Sequence, residues 1–122
     1  MLSEKLVLVA DDSRTSRLFI CTFLENAGYK TIQAENGIEA LNRYNEQKPC
    51  CIVLDLLMPE MDGFEVLKKL KEMKSETPVI VLSADVQEVV KNECFGYGAE
   101  AFLSKPFKKE ELIETVERVT NT

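Results

Sequence analysis

The sequence predicts an α/β domain: a doubly wound, five-stranded parallel sheet with five helices. Three observations predict it. Short apolar runs alternate with amphipathic stretches five times along the chain, the β-α alternation that builds a parallel sheet covered by helices on both faces. The runs at 51–55 and 78–82 are apolar almost throughout, as strands buried on both faces must be. No internal repeat and no linker-like stretch divides the 122 residues. One domain over 1–122 is therefore expected, long enough to build a core without disulfide or metal staples.

Residues 5–10 form the first strand, with Asp11, Asp12 and Ser13 at its carboxyl end. Ser13 suits the N-cap of a helix that runs to Ala27 and is stopped by Gly28. Within it Leu18, Cys21 or Thr22, and Leu24 or Glu25 recur at helical spacing, with Phe19 and Phe23 beside them. Residues 31–35 are half polar, which places that strand at a sheet edge. Asn36-Gly37 turns the chain into a helix over 38–46, with Ala40, Leu41 and Tyr44 inward. Pro49 leads into the central strand, which Asp55 closes, and Pro59 prevents the ladder from continuing. Asp62-Gly63 turns into a helix over 64–73, with Phe64, Val66, Leu67 and Leu70 as its apolar face. The strand at 78–82 ends at Ser83-Ala84-Asp85, and a helix follows over 86–95, ended by Gly96 and Gly98. A brief strand at 101–103 ends at Ser104-Lys105-Pro106-Phe107. The closing helix, 108–119, turns Leu112, Val116 and Val119 inward.

Two arrangements of such units compete, the flavodoxin-like strand order 2-1-3-4-5 and a Rossmann half. The edge character of the second strand favours the former. A (β/α)₈ barrel needs about twice the length.

In this order the first, third, fourth and fifth strands are neighbours, spaced by about 4.8 Å. Their carboxyl ends share one rim, where open α/β sheets carry their ligands. That rim collects Asp11, Asp12, Asp55, Ser83 and Lys105. Singly, each has an ordinary reading: acidic residues at a helix N-terminus, a loop aspartate, a capping serine, a solvated lysine. Together they form an inventory. Three carboxylates that close repel, so one takes a proton or a cation binds. Hard oxygen ligands with open positions suit Mg²⁺. A carboxylate beside Mg²⁺ stays ionised at pH 7 and can attack phosphorus. Phosphoryl transfer asks for positioning and for neutralisation of the equatorial oxygens. A lysine ammonium and a serine hydroxyl meet the remaining demand.

Composition narrows the field. Lys and Arg number 15 against 21 Asp and Glu, a net charge of −6, which argues against direct nucleic-acid contact and against anionic membrane surfaces. Histidine is absent, so no Ser-His-Asp or Cys-His device can be built within the chain. The four cysteines, Cys21, Cys50, Cys51 and Cys94, form no CxxC pair and no zinc spacing, and read as small core residues. With no signal peptide and no apolar run of about 18 residues, a reduced, soluble, cytoplasmic chain is expected.

The motifs stand in a recognisable order: the acidic pair Asp11-Asp12, the segment from Leu54-Asp55 to Met58-Pro59 and Asp62-Gly63, then Ser83-Ala84, then Lys105-Pro106-Phe107. In this the chain resembles, over essentially its whole length, the receiver domain of bacterial two-component response regulators, with chemotaxis-type single-domain regulators nearest in length. The resemblance implies that Asp55 is the phosphoacceptor, taking the group from a histidine kinase or a histidine phosphotransfer protein. It implies Mg²⁺ bound directly by Asp12, through water by Asp11, and by Asp55 and the backbone carbonyl of Leu57. Ser83 would contact the phosphoryl group, and Lys105 would pair with it across a cis bond to Pro106. Phe102 matches the aromatic switch position. On phosphorylation Ser83 and Lys105 would move inward, Phe102 would rotate, and the face made by the fourth helix, fifth strand and fifth helix would change for an unknown downstream protein. Val86, Val89 and Val90 belong to that face.

Two positions depart from what fast hydrolysis needs. Leu57, two past Asp55, and Asp85, two past Ser83, carry no side-chain amide to orient water, so slow self-dephosphorylation is expected. Phe102 also lacks a tyrosine hydroxyl. The last helix ends close to Thr122, so non-covalent partners, or a receiver cut from a longer regulator or hybrid kinase, are expected. Three other functions compete. An aspartyl-nucleophile phosphatase would place its nucleophile after the first strand in a D-x-D pattern, whereas Asp11 and Asp12 are adjacent. An inert receiver used only for binding would not need the complete site. A flavin carrier would need a phosphate loop after the first strand.

Overall fold

The computed structural model describes residues 5–120; positions 1–4 and 121–122 of the expected domain lie outside the described residues. In chain order the elements are β1 (Leu6–Ala10), α1 (Arg14–Asn26), β2 (Lys30–Ala34), α2 (Gly37–Gln47), β3 (Cys51–Asp55), α3 (Gly63–Glu72), β4 (Val79–Ser83), α4 (Glu88–Gly96), β5 (Ala101–Ser104) and α5 (Lys109–Thr120). The strands are all parallel, in the order β2-β1-β3-β4-β5. This is the predicted flavodoxin-like order, with the half-polar β2 at an edge.

Alternation along the strands divides the core in two. Leu8, Ile52, Leu54, Val79 and Val81 face Ala40, Leu67, Leu70 and Cys94 from α2, α3 and α4. Val7, Val9, Val53, Ile80 and Leu82 face Ile20, Cys21, Leu24, Leu112 and Val116 from α1 and α5. Burying each such aliphatic side chain contributes about 1.5–3 kcal/mol. That rigid double layer positions the strand ends.

The turn residues act as caps. Ser13 Oγ accepts the Ser16 N–H at 3.2 Å and Asn36 Oδ1 the Glu39 N–H at 2.8 Å. Asp62 and Glu65 form a reciprocal capping box at the start of α3. Gly28 has φ +97°, a conformation that costs other residues energy, and follows the end of α1.

Two local expectations are corrected. Spacing placed Leu18 on the buried face of α1, but that face is Arg17, Ile20, Cys21 and Leu24, and Leu18 is 48% exposed. Cys21 and Leu24 lie inward as expected, but Arg17 takes the place of Leu18, because its guanidinium finds polar partners at the ends of β1 and β2. The fourth helix starts at Glu88 instead of Val86. Ser83 Oγ accepts the Asp85 N–H and Asp85 Oδ1 the Gln87 N–H, each at 3.0 Å, and these local bonds hold the segment in turns. Cys21, Cys51 and Cys94 are buried and Cys50 is half-buried.

Candidate functional site

Asp55 ends β3, opposite Leu82 of β4, and is 7% exposed. Its Oδ1 accepts the Leu57 N–H at 3.2 Å and its Oδ2 accepts from the Lys105 ammonium at 2.9 Å. Lys105 follows β5, and its N–H bonds the Ser83 carbonyl at 2.8 Å. The same ammonium lies 3.3 Å from Asp11 Oδ2. One lysine thus bridges carboxylates from the first and third strands. The Lys105–Pro106 peptide is cis.

Asp11 continues the line of β1 and is fully buried. Its N–H donates to the Ala34 carbonyl at 3.1 Å. Its Oδ1 accepts the Ser13 N–H at 2.9 Å, and its Oδ2 accepts the Ser16 hydroxyl at 2.6 Å besides Lys105. Asp12 is exposed, and its carboxylate accepts no hydrogen bond among the described residues.

Carboxylate oxygens of Asp11, Asp12 and Asp55 lie within 4.8 Å of one another. Two unit charges at that separation repel by about 3 kcal/mol at an effective dielectric constant of about 20. Lys105 offsets much of this, yet three carboxylates and one ammonium leave the cluster at −2. Burial pushes the Asp55 carboxyl above its usual value; Lys105 opposes that and Asp11 adds to it. Burial alone would lower the Lys105 ammonium, but its bond and attraction to Asp55, with Asp11 behind, hold it above the usual 10.5. Both shifts are upward, with opposite meaning for charge: Lys105, facing two carboxylates, is held in its charged form, whereas burial and the like charge of Asp11 disfavour charge on Asp55.

The donor set suits Mg²⁺. It offers carboxylate oxygens of Asp55, Asp11 and the exposed Asp12. These are hard oxygens, and Asp12 faces water that can complete an octahedron.

Ser83 ends β4 and is buried, but its hydroxyl bonds the Asp85 N–H and does not bond Asp55. Phe102 lies on β5, half-buried against the α2-α3-α4 side of the core, with the Lys91 ammonium 5.7 Å from its ring centre. Val86 and Val89 are exposed at 53% and 60%, and Val90 packs partly on the core. Sequence reasoning missed Ser16 and Arg17. Both lie on the first turn of α1, three and four residues after the Ser13 cap, which was the available signal. It also missed Glu60, whose φ of +67° lets the Met61 N–H reach the Pro59 carbonyl at 2.7 Å in a tight turn beside the rim.

Comparison with known proteins agrees with this geometry. Residues 7–117 match the family model of the response regulator receiver domain. The chemotaxis protein CheY of Bacillus subtilis is 32% identical over 116 residues, covering 94% of this chain and 97% of that protein. The transcriptional regulatory protein SrrA of Staphylococcus aureus is 38% identical over 112 residues, 92% of this chain but 46% of its own length. Among solved structures, Vibrio cholerae CheY4 superposes with a TM-score of 0.90 at 34% identity, covering 96% of this chain and 99% of that one. The receiver domain of the Francisella response regulator 1452 gives 0.92 at 39%, covering 96% and 97%. A matched model over nearly the whole chain, on a rim built from the ends of β1, β3, β4 and β5, shows that the protein belongs to the response regulator receiver domain family of two-component signalling.

Proposed function

We propose that this receiver is a phosphoryl-accepting switch in which Asp55 takes a phosphoryl group from a phosphohistidine on a histidine kinase or histidine phosphotransfer protein. The observation that carries this is the Lys105 ammonium held between Asp55 and Asp11, with Asp12 beside them. An Asp55 carboxylate oxygen attacks phosphorus, the P–N bond to the donor imidazole breaks, and the imidazole nitrogen leaves with the electron pair and takes up a proton. Bound by Asp12, Asp55 and the Leu57 carbonyl, Mg²⁺ would supply charge neutralisation at the phosphoryl oxygens. Lys105, bonded to Asp55 in the resting state, pairs with a second oxygen. Ser83 reaches a third by exchanging its bond to the Asp85 N–H for one to the new group, which brings more negative charge and more acceptors than a carboxylate. The space vacated near β5 admits Phe102, and the α4-β5-α5 face then presents a different surface to a downstream protein.

Relatives of two kinds, one of this length and one about twice as long, are compatible with output through a separate partner or through an attached domain. The buried thiols fit a reduced, cytoplasmic setting: burial raises Cys94 to about 11, well away from reactive thiolate. No helix among the described residues is long and apolar enough to cross a membrane.

The test is labelling by acetyl phosphate. Wild type with Mg²⁺ is expected to take up close to one phosphoryl group per chain, and chelation of Mg²⁺ is expected to abolish uptake. Asp55→Asn protein that labelled like wild type would end the proposal.

A further inference from the structure

We infer that Arg17 is a positioning residue for the acidic rim, setting the direction in which Asp12 leaves the main chain; this rests on the phosphoryl-accepting function proposed above. Arg17 is 8% exposed, and a buried arginine needs a full set of partners. Its Nη1 donates to the Asp11 carbonyl at 2.6 Å, and its Nε donates to Gln33 Oε1 at 3.1 Å. Its Nη2 lies 3.7 Å from Glu35 Oε2. Gln33 lies on β2 and Glu35 directly follows it, so the planar guanidinium ties three segments together.

The consequence follows from peptide geometry. The Asp11 N–H is fixed by the Ala34 carbonyl, and the Asp11 carbonyl is fixed by Arg17. Both peptide planes flanking Asp11 are therefore held, and a peptide group is rigid. The second plane ends at the Cα of Asp12. Asp12 is exposed, and its carboxylate accepts no hydrogen bond among the described residues. Its placement near Asp11 and Asp55 therefore depends on the main chain before it. Arg17 touches neither the Asp12 nor the Asp55 carboxylate; it acts through the Asp11 carbonyl. The same guanidinium brings a fixed positive charge close to a cluster that carries −2.

Removing an outer partner of this kind typically weakens metal binding by about 10- to 100-fold. The experiment titrates Mg²⁺ into wild type, Arg17→Met and Arg17→Lys by calorimetry. It then measures acetyl phosphate labelling against Mg²⁺ concentration. Arg17→Met is expected to raise the half-saturating Mg²⁺ about tenfold or more, with most labelling restored at high Mg²⁺. Arg17→Lys keeps the charge and one donor, and is expected between Met and wild type. Ile20→Val on the same helix serves as the control; it lowers thermal stability and leaves the Mg²⁺ midpoint in place. If Arg17→Met does not fold, Arg17→Lys and Gln33→Ala carry the test, each expected to shift the midpoint upward. Folded variants of Arg17 with the wild-type midpoint would overturn the inference while leaving the function of Asp55 intact. Wild type that binds no Mg²⁺ would overturn both.

Discussion

Asp55, the proposed acceptor, also weakens the fold. Its carboxyl is raised by burial and by Asp11, against the pull of Lys105. A group with a raised folded-state pKa favours folding in its protonated form, and that contribution is lost as pH rises through the folded value. Asp55→Asn is therefore expected to raise the melting temperature at pH 7. The gain should shrink on acidification, as pH falls through the raised folded-state value and wild-type Asp55 takes up its proton. Melting curves from pH 4 to 8 check this; a gain that grew on acidification would contradict it. Leu57 sits at the same scale. Its N–H holds Asp55, while its side chain is 78% exposed and offers an attacking water nothing. Leu57→Asn is expected to speed loss of the phosphoryl group roughly 3- to 10-fold, the worth of one hydrogen bond in the transition state. Decay of labelled protein after removal of acetyl phosphate measures it. Asp11, Asp12, Asp55 and Lys105 were legible in the sequence because each ends a strand or directly follows one, and parallel strands end on one rim. Arg17 was not legible. It reads as a solvated helix residue until the register of β2 brings Gln33 and Glu35 to it. The resting bond of the Ser83 hydroxyl to the Asp85 N–H was hidden for a similar reason, since it depends on turns that the apolar pattern does not encode.

Among the elements, the loop from β3 to α3 is closely confined by two glycines. A Cβ on Gly63 would lie 2.7 Å from the Asp55 carbonyl oxygen, and one on Gly37 would collide with the Met61 carbonyl oxygen. The first turn of α2 and the start of α3 thus close on the segment that carries Leu57. Gly37→Ala is expected to cost about 1–3 kcal/mol through overpacking against main chain. Urea unfolding should show a lower midpoint with an unchanged slope. Strand existence and order were readable, since four of the runs are short and apolar and the remaining, half-polar one marks a sheet edge. The full inward face of α1 was not, because Leu18, Phe19 and Phe23 mark an apolar stripe that competes with the buried one. The start of α4 was hidden for another reason: Val86 looks helical, whereas Asp85 bonds the main chain locally.

Across the whole molecule, the rim and the α4-β5-α5 face are joined through β4 and β5. Ser83 pairs with Ser104 and Val81 with Phe102, so a shift at the carboxyl end of β4 is felt beside the aromatic ring. With a phosphoryl mimic and Mg²⁺ bound, NMR resonances of Phe102 and of Val86 to Val90 are expected to move, while those at the far end of the sheet stay in place. An unshifted α4-β5-α5 face would remove the switch while leaving the acceptor. The most direct measurement is chemical. After acetyl phosphate and Mg²⁺, borohydride reduces an acyl phosphate to the alcohol, turning the modified aspartate into homoserine that peptide mass spectrometry can locate. A single converted residue, Asp55, is the predicted result. Conversion at another carboxylate with Asp55 untouched would contradict the account.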